Sequence, residues 1–387
     1  MTHQLPRFSA NRPFKVVFYA INGTGLGHLA RQLNIARALR SLLDDYGVIH
    51  QIEFLTTSDA SQVANDFLTI KLPSKTRFKR QGLSVKRYNS RAKMLVSTYL
   101  SQLNPDWLIV DTAPQGAFNE IGFIKEYCKY LALIDRHKDE AIANSRTILK
   151  HKKLYSLIIA PEHQSEDPTV RCVGKIHGFN PHKALKKHEV RAYFRLQPEQ
   201  QLVYISAGGG GDETADKSID NLIKTLLSRP NLKLLVGYGP LYQGHIHYHE
   251  RVIPCQESQI SRFFYGIDFA LSAAGYNSFE ELLAAEVPTL FYAQPKGMDR
   301  QDLRATQGEA NGWCLFWRHQ PLDDMLDLLA QKHTQIKHNL TLRPSQQGAY
   351  LAALEILDYT AMMLPGEFVF ANPLREQAST TLNREFT

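Results

Sequence analysis

At 387 residues the chain is long enough for two domains with separate cores, and its 43% hydrophobic and 21% charged residues exclude a disordered or fibrous protein. No apolar run approaches the roughly 20 residues of a membrane span. Residues 1–13 lack the apolar centre of a secretory signal, so a cytoplasmic protein is expected. The net charge of +7 is local: nine basic residues and no acid lie between Lys71 and Lys93, and without them 36 basic residues face 38 acidic ones.

In chain order, the first apolar run is Phe14 to Ile21, which reads as a buried parallel strand. A glycine-rich turn follows, Gly23-Thr24-Gly25-Leu26-Gly27-His28, and then a helix over 28–43 with Leu29, Leu33, Ala36, Leu39 and Leu43 on one face. Further strands are predicted at 50–57, 106–111, 130–135 and 155–160, and helices at 60–67, 91–103, 116–128 and 138–151. This alternation calls for a parallel sheet covered on both sides. A polar stretch over 178–200, with Pro181 and Pro198, reads as an interdomain linker.

The second half repeats the pattern. Strand 201–206 leads into Gly208-Gly209-Gly210-Gly211, about 185 residues after the first glycine turn. Strands are then predicted at 232–237, 250–254, 268–273, 288–293 and 313–317, and helices at 214–228, 257–265, 276–286, 299–310, 321–332 and 346–362. Glycine lets backbone approach a ligand closely, and a helix N-terminus offers free N–H groups to an anion. Two such turns imply two Rossmann-like domains, 14–180 and 200–362, with a cleft between them and a loosely ordered tail over 363–387.

Cys128, Cys172, Cys255 and Cys314 lie far apart in apolar contexts, form no CxxC pair and read as buried free thiols. The 71–93 segment suits nucleic acid, an anionic membrane, an anionic substrate or simply a solvated face. Its only aromatics are Phe78 and Tyr88, and no RNA-binding module is recognisable, so no nucleic-acid partner is expected. Leu72, Phe78, Leu83 and Val85 could enter a lipid headgroup layer while the cations contact anionic lipid.

The densest group of polar residues is Ser272, Gly275, Asn277, Ser278, Glu280 and Glu281, followed by Asp299-Arg300-Gln301-Asp302. A strand ends at Ala274, Gly275 permits a tight turn, and Asn277 or Ser278 can cap the next helix. Carboxylates and carboxamides at strand ends suit ribose or sugar hydroxyls, and capping alone could equally account for the glutamates. His28, at a helix start, can act as a base near neutral pH or satisfy loop backbone. Asp111, ending strand 106–111, is a second candidate base or a turn cap. Arg31, one turn after His28, can face an anion or solvent. His245, His247 and His249 alternate and would share one face of a strand, but no acidic or Cys partner is near in sequence.

These motifs resemble the MurG-like glycosyltransferases, which have the GT-B fold: two Rossmann-like domains with parallel sheets facing across a cleft. The spacing of 13 from Gly275 to Pro288 is similar to the family's donor motif, a Gly, a Ser or Thr, a Glu and then a Pro. The resemblance implies that Glu281 binds the donor ribose, and that Gln301 and Asp302 stand at the family's paired glutamines, the second being Asp here. It also implies that Gly208, Gly209, Gly210 and Gly211 form the diphosphate loop, without the usual serine and glutamine, and that Gly25, Gly27 and Arg31 lie on the acceptor side. Ser272, Gly275, Asn277 and Ser278 complete the implied donor site. The implied activity is transfer of a sugar from a nucleotide-sugar, a UDP-sugar by resemblance, to an acceptor hydroxyl with inversion. The acceptor would be lipid-linked or anionic, reached by peripheral contact with the inner face of the membrane through 71–93. No cofactor or metal is expected: the sequence has no Asp-x-Asp pair, and GT-B enzymes neutralise the leaving diphosphate with a helix N-terminus and side chains. His28-Leu29-Ala30-Arg31 also resembles the start of the UDP-sugar hydrolases of the pseudaminic-acid pathway, where water would be the nucleophile. Non-hydrolysing UDP-sugar epimerases share the architecture, but their carboxylate clusters are missing.

Overall fold

Seven runs of apolar or β-branched residues in the first half line up as one parallel sheet. They are β1 Phe14–Ala20, β2 His50–Thr56, β3 Leu68–Lys71, β4 Trp107–Val110, β5 Tyr130–Ile134, β6 Leu157–Ala160 and β7 Val170–Cys172. Their order is β3-β2-β1-β4-β5-β6-β7. The computed structural model describes residues 12–364 apart from 22–25, 112, 137–142, 162–164, 168, 207–213, 243, 258, 295–298 and 345–346. Gly25, Gly208, Gly209, Gly210 and Gly211 therefore lie outside the described residues, as do residues 365–387 of the expected tail.

The central strands are buried on both faces, as the unbroken apolar runs of β1 and β4 require. Helix α1, Gly27–Asp45, lays Leu29, Leu33, Ala36, Leu39 and Leu43 into the core as its period predicts. The edge strands β3 and β7 escape sequence detection because they are short and half exposed. The helix predicted at 60–67 is a 3-10 turn, Ser61–Ala64, and the one at 116–128 reduces to α4, Ile121–Ile124, and a 3-10 turn.

The basic run is more ordered than its composition implies. Ser74 and Ser84 accept hydrogen bonds from Arg77 N at 3.1 Å and Arg87 N at 3.2 Å, and so cap α2, Lys75–Arg80, and α3, Val85–Leu103. Leu72 and Phe78 turn inward, where Phe78 meets Tyr88 edge to face. The expectation that these two side chains enter lipid is corrected: burying them in the core is what leaves the cations outside. The cysteines are unpaired, but only Cys255 and Cys314 are buried, and Cys172 is exposed.

A second compact unit holds 177–344 and, of the described residues before them, Leu26 and Gly27. After α5, Arg146–Lys152, in the first unit comes α6, Lys187–Tyr193, which lies inside the expected linker. A Cβ on Gly266 would stand 2.3 Å from Val190 Cγ1, so α6 packs against the 3-10 segment Ile260–Gly266 of the second unit. The strands are β8 Gln201–Ser206, β9 Leu232–Gly237, β10 Val252–Cys255, β11 Phe269–Ala273, β12 Thr289–Tyr292 and β13 Leu315–Trp317, parallel, in the order β10-β9-β8-β11-β12-β13. The helices are α7 Thr214–Leu227, α8 Tyr276–Ala284, α9 Gln301–Ala310 and α10 Leu322–Thr341.

The closing helix α11, Gly348–Met363, falls in the first unit, whereas the sequence places it with the second. Trp107 Nε1 donates to Thr360 Oγ1 at 2.8 Å, and Tyr359 packs edge to face on Trp107 and Tyr130. A Cβ on Gly348 would stand 2.3 Å from Gly174 O, so only glycine allows this helix start to sit on that backbone. No described helix is long and apolar enough to cross a membrane.

In each sheet the strand order reverses at one point, between β1 and β4 and between β8 and β11. Open α/β sheets bind ligands outside the carboxyl ends of their strands at such switch points.

Candidate functional site

At the switch point of the first sheet, α1 starts at Gly27, so His28, Arg31 and Gln32 lie on successive turns of one face. Asp111 directly follows β4. His28 Nδ1 lies 2.9 Å from Asp111 Oδ1, while Arg31 donates from Nε to Oδ2 at 2.8 Å and from Nη2 to Oδ1 at 3.0 Å. Gln32 Nε2 donates to Tyr19 O and Ile109 O, both at 3.1 Å, and so ties β1 to β4 beneath this group.

Burial alone would raise the pKa of Asp111, but the Arg31 guanidinium and His28 outweigh it and hold the carboxyl well below the usual range. An ionised carboxylate only accepts, so Nδ1 of His28 carries a proton and donates it to Asp111. The His28 side chain is 30% exposed and that of Asp111 is 2%. Asp111 thus stands behind the imidazole as its orienting partner. Arg31, expected to face an anion or solvent, is instead buried and committed to Asp111. Gly27 has open space on its Cβ side.

The switch point of the second sheet places the Gly275 turn after β11. Gly275 is the N-cap of α8 and no side chain caps the helix. Asn277 and Ser278, expected as caps, are its second and third residues, inside the first turn rather than at the cap. Ser272 is fully buried in β11, with its hydroxyl turned to the Ala273 carbonyl.

The two glutamates of α8 separate cleanly. Glu280 is buried and paired with Arg343, Oε2 to Nη2 at 2.5 Å. Among the described residues Glu281 has no such cation: Gly178 N–H donates to its Oε1 at 3.1 Å. Burial pushes its pKa up to about 7, against the opposing effect of that one hydrogen bond. Gln301, the first residue of α9, is buried, accepts from Gln294 N at 3.0 Å and donates to Asp299 Oδ2 at 3.2 Å. Its Nε2 would be 3.9 Å from a Cβ on Gly275.

Asp302 lies elsewhere: it is exposed and pairs with Arg300. The carboxylate that joins the group is Asp299, which the sequence places in the same polar segment without giving it a role. It binds Arg304 Nη2 at 2.9 Å, and Arg304 Nη1 reaches Ala274 O at 2.6 Å across the Gly275 turn. The i, i+5 spacing of Asp299 and Arg304 across a helix start was the available signal. His247 Nε2 stands 2.7 Å from Asp220 Oδ1, and its Nδ1 is 3.0 Å from Tyr238 Oη. Among the described residues no three His, Cys, Asp or Glu side chains converge on a metal position.

No family model matches the chain. A segregation and condensation protein A from Streptococcus thermophilus is 28% identical over 102 residues, which is 24% of this chain and 43% of that protein. The chain thus spans less than half the length of the curated relatives it matches. Solved structures are similar over nearly the whole chain. The calicheamicin glycosyltransferase CalG4 superposes with a TM-score of 0.61 at 14% identity, over 92% of this chain and 100% of that one. A Listeria monocytogenes structure named as a candidate UDP-N-acetylglucosamine 2-epimerase has a TM-score of 0.59 at 14% identity, over 93% and 100%. Acinetobacter baumannii MurG has a TM-score of 0.51 at 15% identity, over 89% and 98%. The chain has the GT-B fold of these proteins, with two parallel Rossmann-like sheets.

Proposed function

We propose that this chain is a glycosyltransferase that moves a sugar from a nucleotide-sugar, a UDP-sugar, to an acceptor hydroxyl with inversion. The observation that carries the reading is the His28–Asp111–Arg31 group at the first switch point. Arg31 fixes Asp111, Asp111 fixes the Nδ1–H tautomer of His28, and Nε2 is left to take a proton. The acceptor oxygen forms its bond to the anomeric carbon as the bond to the diphosphate oxygen breaks. Its proton passes to His28 Nε2, and the nucleoside diphosphate leaves with the electron pair. The uncapped N-terminus of α8 offers N–H groups to that diphosphate, so the reaction proceeds without a metal. Glu281 accepts from the ribose hydroxyls.

The acceptor is membrane-borne. The cations of α2 and α3 face outward, and Met94 and Phe123, 62% and 55% exposed, edge a groove of about 380 Å³. They, with Val85, replace Leu72 and Phe78 as the apolar contacts to an anionic lipid surface.

A second reading is favoured by the burial of Arg31 within His28-Leu29-Ala30-Arg31: the same His28 would activate water, giving a UDP-sugar hydrolase. Incubation with a panel of UDP-sugars, with and without lipid extract and with EDTA, separates the readings. UDP release that needs lipid and survives EDTA supports transfer, and release without lipid supports hydrolysis. No release from any sugar rejects both.

A further inference from the structure

Glu120, the N-cap residue of α4, is fully buried, and among the described residues no cation pairs with it. Its carboxyl is held instead by three donors. Oε1 accepts from Tyr19 Oη at 2.8 Å and from Ala117 N at 3.1 Å, and Oε2 accepts from Phe118 N at 2.8 Å. Burial pushes its pKa up, against the lowering effect of these hydrogen bonds. Gly116 leaves room for the group: a Cβ there would stand 2.3 Å from Glu120 Cδ. Burying a carboxylate without a counter-ion is unfavourable, so a loop that needed only to be tied down would be held at lower free energy by an amide or by backbone.

The hydrogen bond from Tyr19 links this carboxyl to the first switch point. Tyr19 pairs in register with Val110 across β1 and β4, so the two side chains share one face of the sheet. On that face the Tyr19 ring lies with Tyr88 and Val96 of α3 and Ile121 of α4. Asp111, the next residue after Val110, turns to the other face, where it meets His28 and Arg31. The Tyr19 carbonyl accepts from Gln32 Nε2, beside Arg31 on α1. Tyr19 therefore joins both faces, its hydroxyl to Glu120 and its main chain to α1 and to the strand position just before Asp111. Asp111 and Glu120 also bracket one loop, which Tyr155 Oη pins at Pro114 O, 2.8 Å away, and Phe118 pins edge to face on Tyr88.

We propose that Glu120 is a positioning residue for the His28–Asp111 pair: through Tyr19 it fixes the end of β4 from the opposite face of the sheet and so holds Asp111 against the imidazole. The consequence for turnover rests on the proposed role of His28. Glu120 itself takes no proton from the acceptor.

The test follows the ring-nitrogen signals of His28 by NMR at about pH 8, where an ordinary imidazole is neutral. The wild-type chain is compared with Tyr19→Phe and Glu120→Gln, with His28→Ala to assign the signals and Asp111→Asn to mark loss of the partner. Glu120→Gln puts an NH₂ donor where an oxygen accepts. Tyr19→Phe keeps the ring in the core and removes only the hydroxyl, so it reads the link even where Glu120→Gln does not fold. Wild type should carry the ring proton on Nδ1 alone. Both variants should show a second form with the proton on Nε2, as Asp111→Asn does, and UDP release should slow while UDP affinity is unchanged. A folded Tyr19→Phe that keeps the wild-type signals overturns the inference and leaves Glu120 as a tie for its own loop. No UDP release from any UDP-sugar by the folded wild type rejects the proposed function, while the ring-nitrogen signals still decide the role of Glu120.

Discussion

Asp111 Oδ1 lies 2.9 Å from His28 Nδ1, while Arg31 grips both oxygens of the same carboxylate. One buried anion thus orders two side chains of α1 from the end of a strand some 80 residues away. Asp111→Asn should keep the size of the side chain but lose control of the imidazole tautomer, lowering kcat by about 10²–10⁴-fold. The Arg31 charge would also lose its buried counter-ion, which costs on the order of 3–5 kcal/mol. Steady-state kinetics and denaturant unfolding of the variant check both effects. A variant of unchanged kcat would mean that His28 does not depend on this partner.

Glu281 gives a pH signature. Its folded-state pKa of about 7 exceeds its ordinary value near 4.5, so the folded chain holds this proton more tightly than the unfolded one. That contribution to stability is full below pH 4.5 and is lost as pH rises through 7. Between about pH 5 and pH 8 wild type should lose roughly 1–3 kcal/mol relative to Glu281→Gln, which cannot titrate. UDP affinity should move the other way. The ionised carboxylate is the better acceptor for ribose hydroxyls, so wild-type binding should tighten from pH 6 to pH 8 while that of Glu281→Gln stays flat and weaker by roughly 1–3 kcal/mol. Calorimetry at both pH values reads this directly.

The proposed membrane contact is tested through Met94 and Phe123. Wild type should co-sediment with phosphatidylglycerol vesicles at low salt and release at high salt, since each cation near the surface adds about 1 kcal/mol. Met94→Ser with Phe123→Ser should weaken this binding, whereas a change at buried Leu72 should act on stability alone. Equal binding to neutral vesicles would refute the electrostatic part.

Gly348→Ala should lower the stability of the first unit by about 1–3 kcal/mol, because the new Cβ would meet Gly174 O at 2.3 Å and the helix start must shift. Gly122→Ala, where nothing lies within 4 Å, is the control and should be neutral. Thermal unfolding distinguishes them.

The central strands were legible because burial on both faces demands unbroken apolar runs, and β1, β4, β8 and β11 carry them. Short edge strands with one exposed face leave no such run, so β3 and β7 were not. Nor could the sequence assign α11 to a unit: it buries Ala352, Ala353, Leu354, Ile356 and Leu357, which lie on several sides of the helix and mark no single sheet. In the candidate site, residue types and order singled out His28, Asp111, Glu281 and Gln301. What they touch did not follow from order. Arg31 is buried because Asp111, from another strand, meets it. Asp302 is exposed because its turn of α9 faces solvent, leaving Asp299 as the carboxylate of the cluster. Glu120 looks like an ordinary loop residue until its burial is known.

The most direct test of the account is the turnover of His28→Ala set against its affinity for UDP. Removal of the proposed proton acceptor should lower kcat by about 10²–10⁴-fold and leave UDP binding within about twofold, because the proposed nucleotide site lies in the second unit. Turnover within a few-fold of wild type, or a loss explained by weaker UDP binding, would contradict it.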